Sequence, residues 1–249
     1  MYRKIIVTKG VIEVYEYERL NVNQIPDRDG DGEYHEKNYK QRQRDRRNAI
    51  RRLICQNFDS ESKFITLTFR DTETFDIKDV KSCNHQYKRF VDRLRRRFQA
   101  LRYVAVIEFQ DKNGRGAIHY HMVCNLPYIS KAELARLWGH GFVKINAIDK
   151  VDNVGAYVIK YMTSDMDDKR LCGENAYLRS RGLETPVEVR SWREGEYEAV
   201  RGIEAMLAGK TPSYGGEPYE SEHAGTIRYS QYNLNRIDGQ EQNMGVKTA

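Results

Sequence analysis

The chain has 249 residues, a formal net charge of +6, 39% hydrophobic and 31% charged residues. That length suits one substantial core with an extension, or two small domains, and the composition is that of a soluble protein. No run reaches the ~20 apolar residues of a membrane span, and MYRKIIVTKG lacks the small-residue cleavage site of a secretory leader.

Four scattered cysteines without CxxC spacing argue against a disulfide framework or zinc ribbon and fit a reducing cytoplasm. Residues 4–8 and 11–18 alternate around Lys9-Gly10, which predicts a small hairpin. The polar, Gly- and Asp-rich stretch 21–35 reads as a loop. Its 27–32 segment, DRDGDG, looks like the first half of a calcium loop, but Asn38 stands where the bidentate Glu belongs. An acidic turn is the better reading. Residues 36–56 then predict a basic helix packing through Ile50, Leu53 and Ile54, with eight Lys or Arg against Asp45 alone over 37–52.

In FITLTF (64–69), Ile65, Leu67 and Phe69 share one face of a strand, and Thr66 and Thr68 the other. A helix over 77–98 aligns Val80, Tyr87, Phe90, Val91 and Leu94 with its basic residues outward. One basic run is ordinarily a solvated helix face. Two runs bracketing a strand favour a phosphate backbone as partner. The candidate DNA contacts are Arg44, Arg47, Arg51, Lys88, Arg95 and Arg96, with Thr66 and Thr68 between them.

Strands are predicted over 103–110 and 117–124, joined by the hairpin signal DKNGRG. Ser130 caps a short helix through Trp138, with Glu133 completing the capping box, and Gly139-His140-Gly141 ends it. A strand follows over 142–147 and a helix over 151–163. The order β-α-β-β-α-β-α predicts an α+β fold, an antiparallel sheet with helices packed on one face. Past about 170 the signal weakens to a short helix near 201–208 in a partly irregular remainder. The expected organisation is an N-terminal hairpin and loop (1–35), a central domain (36–170, core 64–164) and a C-terminal extension (171–249).

The most informative string is AIHYHMV. His119 and His121 at i and i+2 of a strand point to one side, as two ligands of one metal must. His-x-His alone is weak evidence. If the hairpin centres between Asn113 and Gly114, however, Glu108 lies opposite His119, and an otherwise costly carboxylate gains its partners. The alternative is a cross-strand ion pair beside an exposed histidine. Two imidazoles and a carboxylate suit Mn²⁺, or Mg²⁺ through its abundance. On the last predicted helix, Tyr157 and Tyr161 share a face at i and i+4, with Lys160 beside them to stabilise phenolate or phosphate charge. Without the metal triad, such a pair reads as amphipathic packing.

In that order, FITLTF, IHYHMV and YVIKY resemble the three motifs of the HUH endonuclease superfamily, specifically rolling-circle replication initiators of bacterial plasmids and single-stranded DNA phages. LWGHGFVKI is similar to the segment between their second and third motifs. The resemblance spans 64–164. It implies a ferredoxin-like domain whose metal is held by His119, His121 and Glu108. It also implies a tyrosine that attacks a phosphodiester to leave a 5′-phosphotyrosine and a free 3′-OH. Tyr157-x-x-Lys160 fits the family's form, and Tyr161 completes its two-tyrosine arrangement. The implied partners are single-stranded or extruded origin DNA, with a helicase and polymerase of a bacterial host. Tyr120 departs from the usual middle position of the motif, and no Walker A string marks a fused helicase. Two other readings stay open. One is a relaxase or transposase of the same superfamily, disfavoured by length and by Glu108. The other is a non-enzymatic single-strand-binding module.

Overall fold

The computed structural model describes residues 1–20, 32–111, 114–148, 153–161, 168–221 and 224–234, with the backbone alone for 32–38 and 40. The acidic turn at 27–31 therefore lies outside the described residues, and the helix that follows already runs from Gly32. The chain divides into two compact units, 24–186 and a discontinuous one made of 1–23 and 187–249.

The central unit contains α1 (Gly32–Asn57), β3 (Lys63–Thr68), α2 (Val80–Arg97), β4 (Tyr103–Gln110), β5 (Ala117–Cys124), α3 (Lys131–Trp138), β6 (Val143–Ala147), α4 (Val154–Ile159) and β7 (Tyr177–Arg179). Its five strands lie in the order β6-β3-β5-β4-β7, every pair antiparallel. Taken alone, the β-α-β-β-α-β succession from β3 to β6 is in ferredoxin-like order, with the first strand between the third and the fourth. The fold is α+β. Local chemistry sets the helix ends: Asp79 accepts from Ser82 N, Ser130 accepts from Glu133 N, and Gly139 closes α3 with φ 77°.

Alternation divides the sheet into two faces. On one, Ile65, Leu67, Ile107, Tyr120 and Met122 pack against Val80, Tyr87, Phe90 and Leu94 of α2 and Leu134 and Trp138 of α3. This is the apolar face expected under the helices. The structure adds a second layer: Phe64, Val104, Val106 and Val123 on the opposite face pack against Ile50, Leu53 and Ile54 of α1 and Val154 and Val158 of α4.

Close approach of α4 to α1 depends on one residue. A Cβ at Gly155 would lie 2.3 Å from the Arg51 carbonyl oxygen and 2.7 Å from Cys55 Sγ. Asn153 ties the same joint, accepting from Ala156 N at 2.9 Å and from Cys55 Sγ at 3.2 Å.

The discontinuous unit pairs the N-terminal hairpin, β1 (Tyr2–Val7) and β2 (Val11–Tyr17), with strands from the far end of the chain: β8 (Val187–Arg190), β9 (Tyr214–Gly215), β10 (Tyr219–Ser221) and β11 (Gly225–Asn233). The main path is β10-β11-β2-β1-β8. Ile5, Ile12, Val14 and Val189 form its core with Val200 and Leu207 of α5 (Tyr197–Leu207). The hairpin and C-terminal segment, separate in the sequence reading, thus share one sheet, and much of the segment expected to be irregular is strand or helix. No described helix is long and apolar enough to cross a membrane.

An exposed helical Gly→Ala change normally stabilises by up to ~1 kcal/mol. At Gly155 the added methyl must drive α4 from α1, so Gly155→Ala is expected to lower stability by ~1–3 kcal/mol instead, read as a lower urea midpoint.

Candidate metal centre

The β4–β5 hairpin sets Glu108 opposite His119 and Val106 opposite His121. On the other side of β5, β3 sets Thr66 opposite His121 and Thr68 opposite His119. Side chains paired across a ladder project from the same face, so the polar groups of three strands converge. One ligand atom from each of Glu108, His119 and His121 lies within 4.8 Å of the others, and together the three could hold a divalent cation. The Glu108 Oε2 atom is 2.7 Å from His121 Nε2 and 3.9 Å from His119 Nδ1.

His121 is held at both ring nitrogens, because Thr66 Oγ1 lies 3.2 Å from its Nδ1. A threonine hydroxyl can donate or accept. It can therefore donate to Nδ1 while Nε2–H donates to Glu108, or accept from Nδ1–H when Nε2 ligates a cation. Such an outer partner fixes the plane of a ligand ring.

Burial pushes the Glu108 carboxyl up, but the hydrogen bond and charge of His121 outweigh it and bring the group below the ordinary carboxylate range. Burial lowers His119, with Glu108 partly opposing that shift. Near neutral pH these directions leave a carboxylate and an uncharged imidazole, the forms that bind a cation.

The tyrosines reach the same place from above. Tyr161 stacks on His121 with ring centres 4.4 Å apart, and Tyr157 and Tyr161 both contact Phe64 at 5.1 Å. Burial and a hydrogen bond with Tyr161 push the Tyr157 phenol up to about 12. Lys160 forms the C-cap of α4 with its side chain exposed. The structure thus brings together Glu108, His119, His121, Thr66, Thr68, Tyr157 and Tyr161.

The basic residues behave differently from one another. Arg44 is exposed and Arg47 half-buried on α1, which packs on the cluster's face of the sheet. Arg51, expected at a DNA surface, is 8% exposed and lies under Gly155 at the α1–α4 joint. Its position on the helix faces inward because α4 covers that stripe. Lys88, Arg95 and Arg96 are exposed on α2, which covers the sheet face opposite the cluster. Two neighbours escape the sequence reading. Phe64 supports both tyrosines, and Lys144 of β6 is paired with Thr66 and exposed. Lys144 alternates with Val143 and Ile145, but only the β3–β6 register puts it beside the histidines.

Residues 62–166 match the family model of the replication-associated protein ORF2/gene II protein. The match runs from the start of β3 past α4 and so contains the whole cluster and both tyrosines. A His-His-Glu cluster in this setting is consistent with an HUH motif, and a replication-associated family implies DNA as partner. No curated protein and no solved structure matches the chain.

Mn²⁺ titration followed by calorimetry should show one site in the wild-type chain and none in Glu108→Gln or His119→Ala. Thr66→Val should weaken Mn²⁺ binding about tenfold, the usual scale for an outer-shell partner, while Thr66→Ser keeps it.

Proposed function

We propose that this protein initiates rolling-circle replication by nicking one strand of an origin with a tyrosine nucleophile. The observation that supports this most is the stacking of Tyr161 on His121, which joins the tyrosine pair of α4 to the Glu108–His119–His121 cluster. Neither motif alone would carry the reading. An isolated tyrosine pair is ordinary packing, and an isolated cluster is an ordinary polar patch.

Mn²⁺ or Mg²⁺ held by Glu108, His119 and His121 would polarise a non-bridging oxygen of the scissile phosphate. Tyr157, our first nucleophile, is held protonated by burial and by its hydrogen bond with Tyr161. Its proton leaves along that hydrogen bond as the phenol oxygen attacks phosphorus. A bond forms between the Tyr157 oxygen and phosphorus, and the bond from phosphorus to the 3′ oxygen breaks. The leaving oxygen takes up a proton and becomes the 3′-OH primer end, while the 5′-phosphate stays on the enzyme. Lys160 offsets charge developing on the phenol and the phosphate. Tyr161, one helical turn on, serves as the second phenol for closing the round. The substrate is single-stranded or extruded origin DNA, with Arg44, Arg47, Lys88, Arg95 and Arg96 as backbone contacts, and the 3′-OH is handed to a bacterial host's helicase and polymerase in the cytoplasm.

Incubation with Mn²⁺ and labelled single-stranded origin-pool DNA should give a protein–DNA band that survives denaturation. Tyr157→Phe should reduce this adduct by several orders of magnitude and the double Tyr157→Phe, Tyr161→Phe variant should abolish it, with DNA affinity retained. Undiminished adduct in the double variant would remove the tyrosine mechanism. Binding without any adduct in the wild type would point to a non-enzymatic single-strand binder.

A further inference from the structure

Two adjacent rows of the central sheet lead from its β6 edge to the two imidazoles. One runs Lys144–Thr66–His121 through the β6–β3 and β3–β5 ladders. The other begins at Phe142, just before β6, whose backbone is clamped to Thr68: Thr68 N donates to Phe142 O and Phe142 N donates to Thr68 Oγ1, each at 3.0 Å. Thr68 is in turn paired with His119. With strands ~4.8 Å apart, the β6 edge lies only ~10 Å from the histidine strand.

The groups on this edge are chemically specific. Phe142 is 56% exposed, large for a rigidly clamped aromatic. Lys131 Nζ sits 4.5 Å from its ring centre, and Lys144 is exposed on the cluster's face. A lysine on an edge strand can serve simply to block edge-to-edge pairing. That explains Lys144 but not a solvent-facing phenyl ring beside it. An aromatic platform interleaved with cations is what holds an unpaired nucleic-acid strand, through base stacking and phosphate contacts.

We propose that the β6 rim is the track for the single strand flanking the scissile phosphate, with a base stacked on Phe142 and phosphates held by Lys144 and Lys131. This rests on the reading of the cluster as a DNA-nicking centre and adds the residues that feed it.

The test measures binding of a fluorescein-labelled oligothymidylate by anisotropy in EDTA, where no nicking occurs, alongside adduct formation in Mn²⁺. Phe142→Ala should weaken binding about tenfold, within the range for loss of one stacked base, whereas Phe142→Trp should retain it. Oligonucleotides with 2-aminopurine at successive positions should show one position quenched by the wild type and by Phe142→Trp but not by Phe142→Ala. Lys144→Ala should lower the slope of log affinity against log salt by about 0.7, one phosphate contact on a single strand. Wild-type affinity and salt slope in Phe142→Ala and Lys144→Ala, with adduct still formed, would overturn the rim while leaving the nicking centre intact. A wild-type protein that neither binds the strand nor forms adduct would overturn both.

Discussion

The pairing of Glu108 with His119 across the β4–β5 hairpin is the constraint from which the rest of the central unit follows. Side chains alternate with a period of two, so a slip of one residue in this ladder would carry Glu108 into the layer beneath α2 and α3. There it would displace Ile107 or Phe109 and leave a carboxylate without a partner, a cost of several kcal/mol. The apolar residues therefore police the polar ones. Ile107, Tyr120 and Met122 can be buried only in the register that gathers the carboxylate and both imidazoles on the other side.

That partition also explains why α1 and α4 leave part of their face uncovered. The lower strand positions Phe64, Val104 and Val123 are buried by the two helices, while Glu108 and His119 keep about a third and a fifth of their side chains accessible. A fully covered cluster would be a buried ion pair, and a fully exposed one would have no reason to hold its geometry. The α4 helix arrives at the boundary because Gly155 lets it sit directly on the α1 backbone. The Tyr157–Tyr161 face is delivered to Phe64 and His121 as a consequence of that contact.

Local features were legible in the sequence because local physics governs them. The Asn-Gly hairpin signal centres a register, Ser130 and Gly139 mark helix ends, and alternation in 103–110 and 117–124 separates the faces. Pairings between distant strands were not legible, since alternation says which face a residue takes but not which strand lies beside it. Lys144 escapes the sequence for that reason, and so does the joining of the N-terminal hairpin to β8 and β11. Charge misled in a different way. Arg51 reads as one more cation of a basic run, yet the stripe it occupies is covered by α4. Lys88, Arg95 and Arg96 are outward as expected, but outward from the far side of the sheet.

The discontinuous unit imposes an order of assembly. Lys4 lies opposite Arg190 and Val11 opposite Asn233, so the first strands made on the ribosome acquire their neighbours only when the last quarter of the chain has emerged. The intervening 24–186 contains every partner of its own sheet and can close while synthesis continues. Until then the hairpin is a two-stranded ribbon with both edges unsatisfied, the state most open to mispairing with another nascent chain. Ribosomes stalled within the C-terminal segment would therefore carry a finished central sheet tethered to an unfinished one, which limited proteolysis of arrested chains would cut at the N-terminus first.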